Sequence, residues 1–251
     1  MSLVLLENGP AEGVRVITLN DPDKRNALSP GLQAGLRDAI AAVRDDPDAR
    51  ALVIAGTGKA FSAGADLPAV FGPRRSVSEL REYLLATYAS FLSVGDLEIP
   101  TIAAVQGAAV GAGVNLSMSC DVRVAGPRAS FGVTFTKLGL HPGGGCTYFV
   151  VRALGRQRAL DLLLSGGAVA AEEALAAGIV LEITDDPLTR SLELAARYAA
   201  LEPSLARNIK RAVRIADAGD FAATVEFEAW AQASSATGNE KFQAAVDAFR
   251  R

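Results

Sequence analysis

The chain has 251 residues, half of them apolar, enough to bury one large core. Its formal net charge is -3, with 25 Lys and Arg interspersed among 28 Asp and Glu, which provides no bulk field to attract nucleic acid or an anionic membrane. One histidine, His141, and two cysteines, Cys120 and Cys146, are too few for an ordinary zinc site or a secreted disulfide framework, so no metal and a reducing cytoplasm are expected.

Residues 1–7 carry no basic leader, and no later apolar run is long and uninterrupted enough to span a bilayer, so a soluble chain is expected. Residues 13–20 alternate as a half-buried strand does, and Asp21-Pro22-Asp23 closes it with turn chemistry. Ser29-Pro30 reads as an N-cap followed by a first-turn proline, and Leu32, Leu36, Ile40 and Val43 keep a helical period behind it. Residues 51–56 are wholly apolar, as in a strand buried on both faces. The three segments make one strand-helix-strand crossover.

The theme repeats: a helix is predicted over 77–92, a buried strand over 101–105, a helix over 111–119 and a strand over 121–125. From residue 152 the period is mainly helical, over 157–164, 172–177, 188–201, 204–216 and 221–235. A strand-rich half followed by a helix-rich third predicts a layered α/β core over 1–190 and a C-terminal helical region over 191–251. Pro73-Arg74-Arg75-Ser76 is the loop that reads as mobile.

Two turns rich in small residues, Phe61-Ser62-Ala63-Gly64-Ala65-Asp66-Leu67 and Gly107-Ala108-Ala109-Val110-Gly111-Ala112-Gly113, sit where an apolar strand gives way to a helix. Small side chains leave amides uncovered, and the free N–H groups opening a helix sit at its positive dipole end. Two such donors at a developing oxyanion supply roughly 3 kcal/mol each. The plainer reading is tight helix-strand packing, and either turn alone is compatible with it. Neither turn matches G-x-G-x-x-G, and residues 56–60 lack the spacing and hydroxyl of a phosphate loop. A Ser-His-Asp or Cys-His arrangement would have to use His141, and no G-x-S-x-G elbow exists to present a serine.

The two turns, taken in order with Asn20 through Leu28, Gly107 through Asp121, Ala129-Ser130-Phe131-Gly132 and Leu138 through Gly145, resemble the enoyl-CoA hydratase/isomerase family, the crotonase superfamily, over nearly the whole chain. The resemblance implies an α/β fold, a spiral of repeated ββα or βαβ turns with a C-terminal helical trimerisation region, assembled as a homotrimer or hexamer. It also implies an acyl-CoA thioester as substrate, with no further cofactor. By motif match the oxyanion amides are those of Ala65 and Ala112. Lys24, Arg25, Ala27 and Leu28, with Ala63, Asp66 and Leu67, match the segments that line the CoA site, and adjacent cations suit phosphates. A solvated Lys-Arg pair is the plainer reading of the first two. Asp66 also reads as a residue that orders its turn.

Asn115 and Phe135 stand where the resemblance implies the two hydratase glutamates. An amide positions a water or carbonyl but is no general base near neutral pH, and a phenyl ring transfers no proton. Each loss removes about 10²- to 10⁴-fold of acid-base catalysis, so efficient hydration by the two-glutamate route is not expected. His141 is the strongest substitute, because imidazole titrates nearest neutrality; a structural or surface histidine before proline is the competing reading. Thr134 and Thr136 are weaker polar candidates beside Asp66. Cys120 and Cys146 read as small packing residues, Tyr148 and Trp230 as core or interface aromatics, and Arg74 and Arg75 as a solvated pair or a phosphate screen. The functional expectation is an enzyme stabilising a thioester enolate, labelled hydratase or isomerase by family. Its alternatives are a non-catalytic acyl-CoA binding or carrier protein, and an assembly subunit without ligand affinity.

Overall fold

The computed structural model describes residues 2–237 and 239–249. The N-terminal segment forms strand β1 (Val4–Asn8), antiparallel to β2 (Val14–Leu19). Ser29 caps α1 (Pro30–Asp45) by accepting the Leu32 N–H, and the chain returns as β3 (Ala51–Gly56), parallel to β2. β3 then begins a pattern that recurs twice: a long strand, a tight turn and a short strand that joins a second sheet.

β3 gives way to β4 (Ala60–Ser62), then α2 (Leu67–Phe71) and α3 (Val77–Leu92). β5 (Thr101–Val105) gives way to β6 (Ala108–Val110) and α4 (Ala112–Ser119). β7 (Val122–Ala125) gives way to β8 (Ser130–Gly132), a 3-10 turn and α5 (Cys146–Ser165), which is broken at Gly155. Then come β9 (Ala168–Ala170), α6 (Ala171–Ala176), β10 (Glu182–Ile183), α7 (Pro187–Ala199), α8 (Pro203–Asp217), α9 (Phe221–Ala236) and α10 (Glu240–Phe249). One sheet runs β1-β2-β3-β5-β7-β10, the other β4-β6-β8-β9. The expected spiral of ββα turns is this alternation between two sheets.

The apolar run 51–56 serves two faces. Leu52 and Ile54 pack with Leu32, Leu36 and Ile40 of α1, whereas Ala51, Val53 and Ala55 pack with Leu194 and Ala195 of α7. α7 spans residue 190, the expected edge of the core, and its inner face belongs to the sheet. α8 is pinned by Lys210, a buried lysine whose Nζ donates to the Ile99 carbonyl at 2.7 Å and to Asp121 Oδ2 at 2.6 Å. No helix among the described residues is long and apolar enough to cross a membrane.

Strands β1, β4, β6, β8, β9 and β10 escape the sequence reading, as does the N-terminal half of α5. Tyr148 and Trp230 are 58% and 57% exposed, which removes the core alternative for both. Trp230 lies on α9 beside Phe227, their ring centroids 5.6 Å apart.

Candidate active site

β4 and β6 lie side by side and parallel, with Ala60 opposite Ala108 and Ser62 opposite Ala109, so the two small-residue turns leave their sheet together. Their approach is close enough to require glycine. Gly64 has φ +86°, and a Cβ there would lie 2.3 Å from the Val110 oxygen and 3.3 Å from the Ala112 nitrogen. Among the described residues neither the Ala65 nor the Ala112 N–H has an acceptor within the protein, and both residues face one cavity of about 360 Å³.

A third segment locks the first turn. Asn26 is fully buried in the left-handed region (φ +55°), and its Nδ2 is shared among the Thr57, Ala60 and Phe61 carbonyls at 3.0–3.1 Å, while its Oδ1 accepts the Asp21 N–H. Its carbonyl accepts the Ser62 hydroxyl, the Ala63 N–H donates to Arg25, and the Leu28 N–H donates to Gly64. Leu28 therefore meets the turn through its backbone and sends its side chain into the core, fully buried. Lys24 and Arg25 are exposed cations at the same seam, and Ala27 is half-buried. Ala63 and Leu67 line the cavity. Asp66 caps α2, its Oδ1 accepting the Ala69 N–H at 3.2 Å.

The cavity walls are mostly apolar: Leu67, Val70 and Phe71 from α2, Leu80, Leu84 and Phe91 from α3, Leu138 and Leu140 beyond β8. Among the described residues no Asp, Glu, Lys or Arg lines it, and its only titratable side chains are Tyr88 and His141. Burial raises the Tyr88 hydroxyl above the ordinary tyrosine value, an effect opposed in part by the Gly144 backbone amide. His141 is exposed at the rim, and its Nδ1 lies 2.7 Å from the Pro142 carbonyl. A carbonyl only accepts, so Nδ1 carries a proton, and in the neutral ring the lone pair is on Nε2.

Asn115 is fully buried at the wall, its Nδ2 donating to the Gly143 carbonyl at 2.8 Å while its Oδ1 has no partner. Phe135 and Thr134 also line the cavity. Thr136 turns away, donating to the Leu163 carbonyl at 3.2 Å. Arg75 is occupied structurally, its Nη1 on the Val70 carbonyl at 2.8 Å and its guanidinium 4.2 Å from the Tyr83 ring centroid. Cys120 and Cys146 are buried, and burial pushes both thiols up to about 12, far from a nucleophile's range. Tyr88 and the α3 wall are what the sequence reading misses. Leu80, Leu84 and Tyr88 recur at helical spacing, which from sequence alone is the mark of any buried face.

Residues 9–250 match the family model for enoyl-CoA hydratase/isomerase. A protein of Mycobacterium tuberculosis (strain H37Rv) named "Probable enoyl-CoA hydratase EchA14" is 51% identical over 187 residues, covering 74% of this chain and 72% of the relative. The 2,3-dehydroadipyl-CoA hydratase of Escherichia coli K12 is 36% identical over 205 residues, covering 80% and 78%. The crystal structure of an enoyl-CoA hydratase from Bacillus anthracis superposes with a TM-score of 0.88 at 28% identity, covering 99% of this chain and 96% of the other. With its ordered motifs, alternating two-sheet fold and unpaired turn amides, the chain belongs to the enoyl-CoA hydratase/isomerase family, the crotonase superfamily.

Proposed function

We propose that the protein is an acyl-CoA enzyme in which the Ala65 and Ala112 N–H groups hold the thioester oxygen as negative charge develops on it, and His141 Nε2 moves the proton. The observation that carries this reading is the composition of the cavity wall: two backbone donors without protein acceptors, and an imidazole in place of carboxylates. A base removes a proton from the acyl α-carbon, the electron pair moves onto the thioester oxygen, and the same nitrogen returns the proton at the α- or γ-carbon. One group suffices for such a shuttle, whereas addition of water by the two-glutamate route calls for two. Isomerisation of an enoyl thioester is therefore the reaction the wall supports best.

The apolar α2 and α3 wall suits an uncharged acyl chain, because a carboxylate at the chain's far end would be buried without a cation. CoA itself would run along the seam of 24–28 with 63–67, its phosphates near Lys24 and Arg25. For assembly we propose a homotrimer or hexamer through the C-terminal helices. Isolated, α8 and α9 leave Phe221 82% exposed, and Val213 62% exposed along a groove that also includes Ile209 and Ala231.

The test is calorimetry with crotonyl-CoA, then turnover of a 2-enoyl and 3-enoyl-CoA panel followed by absorbance of the conjugated thioester. Binding with turnover that His141→Ala reduces by about 10²-fold or more supports the proposal. Binding without turnover makes the protein an acyl-CoA carrier, and undetectable binding to the panel removes the CoA site altogether.

A further inference from the structure

The peptide unit joining Gly143 to Gly144 is held by a hydrogen bond and by packing. Asn115 Nδ2 donates to its carbonyl at 2.8 Å, and Tyr88 lies against both of its glycines. The seat has no room for side chains. A Cβ on Gly143 would lie 2.3 Å from the Tyr88 oxygen, and one on Gly144 would lie 2.7 Å from Asn115 Nδ2 and 3.0 Å from the Phe91 ring. Both holding residues stand on regular helices, Tyr88 on α3 and Asn115 on α4, whereas the held peptide belongs to an irregular loop.

Two residues upstream in that loop is His141, whose Nδ1–H is taken by the carbonyl of Pro142, the peptide immediately before the held one. The direction of the Pro142 carbonyl is set by the backbone torsions at Gly143, a residue without a side chain to limit them. Fixing the next peptide plane narrows the range open to it.

We propose that Asn115 and Tyr88 are positioning residues for His141: together they fix the Gly143–Gly144 peptide, and through it the carbonyl that keeps the imidazole protonated on Nδ1 and free at Nε2. The inference rests on the proposed role of His141 in proton transfer. It gives the amide at the expected glutamate position a task that does not involve touching substrate. It also explains why a fully buried asparagine is kept with an unpartnered Oδ1: the donor half of the amide is what the loop needs.

Because His141 is the only histidine, its ring signals in untagged protein need no assignment. Long-range proton-nitrogen NMR of the histidine-labelled protein, at a pH where the ring is neutral, reads the tautomer directly. Native protein is expected to be mainly Nδ1–H. Asn115→Leu keeps the branched heavy-atom shape and removes the donor, and Tyr88→Phe keeps the ring and removes the oxygen. Asn115→Leu should shift the tautomer ratio toward Nε2–H by roughly five- to tenfold, the effect of one hydrogen bond, and Tyr88→Phe should shift it in the same direction. A merely packing role predicts no shift in either variant. Native protein mainly Nε2–H, or an unchanged ratio in the folded variants, overturns the proposal; if Asn115→Leu does not fold, Tyr88→Phe decides. No substrate is needed, so failure of every CoA ester to turn over would sink the proposed reaction without touching this result.

Discussion

Replacing Gly64 by alanine tests whether the two turns form one unit. The new Cβ would meet the Val110 oxygen at 2.3 Å, against a floor of 3.0 Å for real contacts, so the turns must part by about 0.7 Å, the difference between the two. The φ of +86° adds the cost of a left-handed alanine, about 1–2 kcal/mol, and the forced opening about 1–3 kcal/mol more. Gly178→Ala is the control: its φ is +72°, yet a Cβ there meets nothing within 4 Å, so it carries the torsional cost alone. Urea unfolding should show Gly64→Ala the less stable by at least about 1 kcal/mol. In the turnover assay, displacement of the Ala65 amide from the Ala112 amide should cost about 10²-fold, with Gly178→Ala near wild type. Equal stability of the two variants, together with undiminished turnover, would refute the claim that this contact sets the donor spacing.

Three further outcomes follow from the electrostatics. Lys210→Met should destabilise the protein by about 3 kcal/mol in urea, since it strips the cation from Asp121 and unpins α8 from the Ile99 carbonyl; the Lys210 pKa is already held down by burial, more than Asp121 restores. A loss below about 1 kcal/mol would show that α8 is held by other contacts. The native thiols should stay unreactive toward a disulfide reagent at pH 8 and react at once in urea, because burial pushes both up to about 12; fast native labelling would contradict the buried placement of Cys120 and Cys146. Glu79 is held below the ordinary glutamate value, first by the Ser76 backbone N–H and then by the Ser76 hydroxyl. Its contribution is therefore complete above the ordinary value and lost as pH falls through the lowered one. Wild type should melt above Glu79→Gln at pH 7, with the gap closing as pH falls below the ordinary glutamate value; a gap constant with pH would contradict the capping box at Ser76.

How much of this was legible in the sequence follows from length and repetition. α1, α3 and the strands 51–56 and 101–105 announce themselves, because several turns of period or a bounded apolar run are enough to read. β4, β6, β8 and β9 are three residues each, too short for any period; the long strands before them deliver the first three side by side, and β9 returns from α5 to pair with β8. The break in α5 is carried by Gly155 (φ +73°), one residue in an otherwise helical run. At the site, Ala65, Ala112 and His141 were visible as residue types in ordered motifs, and the cavity brings all three together. Tyr88 was not, since a cavity wall and a core face share the same spacing. Nor was the structural role of Asn26, which depends on carbonyls more than 30 residues away along the chain.

The unpaired amides of Ala65 and Ala112 belong to the main chain, so substitution leaves them in place unless proline arrives. What fixes their spacing is the pairing of β4 with β6, again a matter of backbone. The two ends of the cavity are thus inherited on different terms. The wall of the cavity can change side chain by side chain, while the two amides at its other end, being main chain, persist through every such change. Asn115 and Phe135 stand on that variable wall, and a change at either leaves the two turn amides where they are.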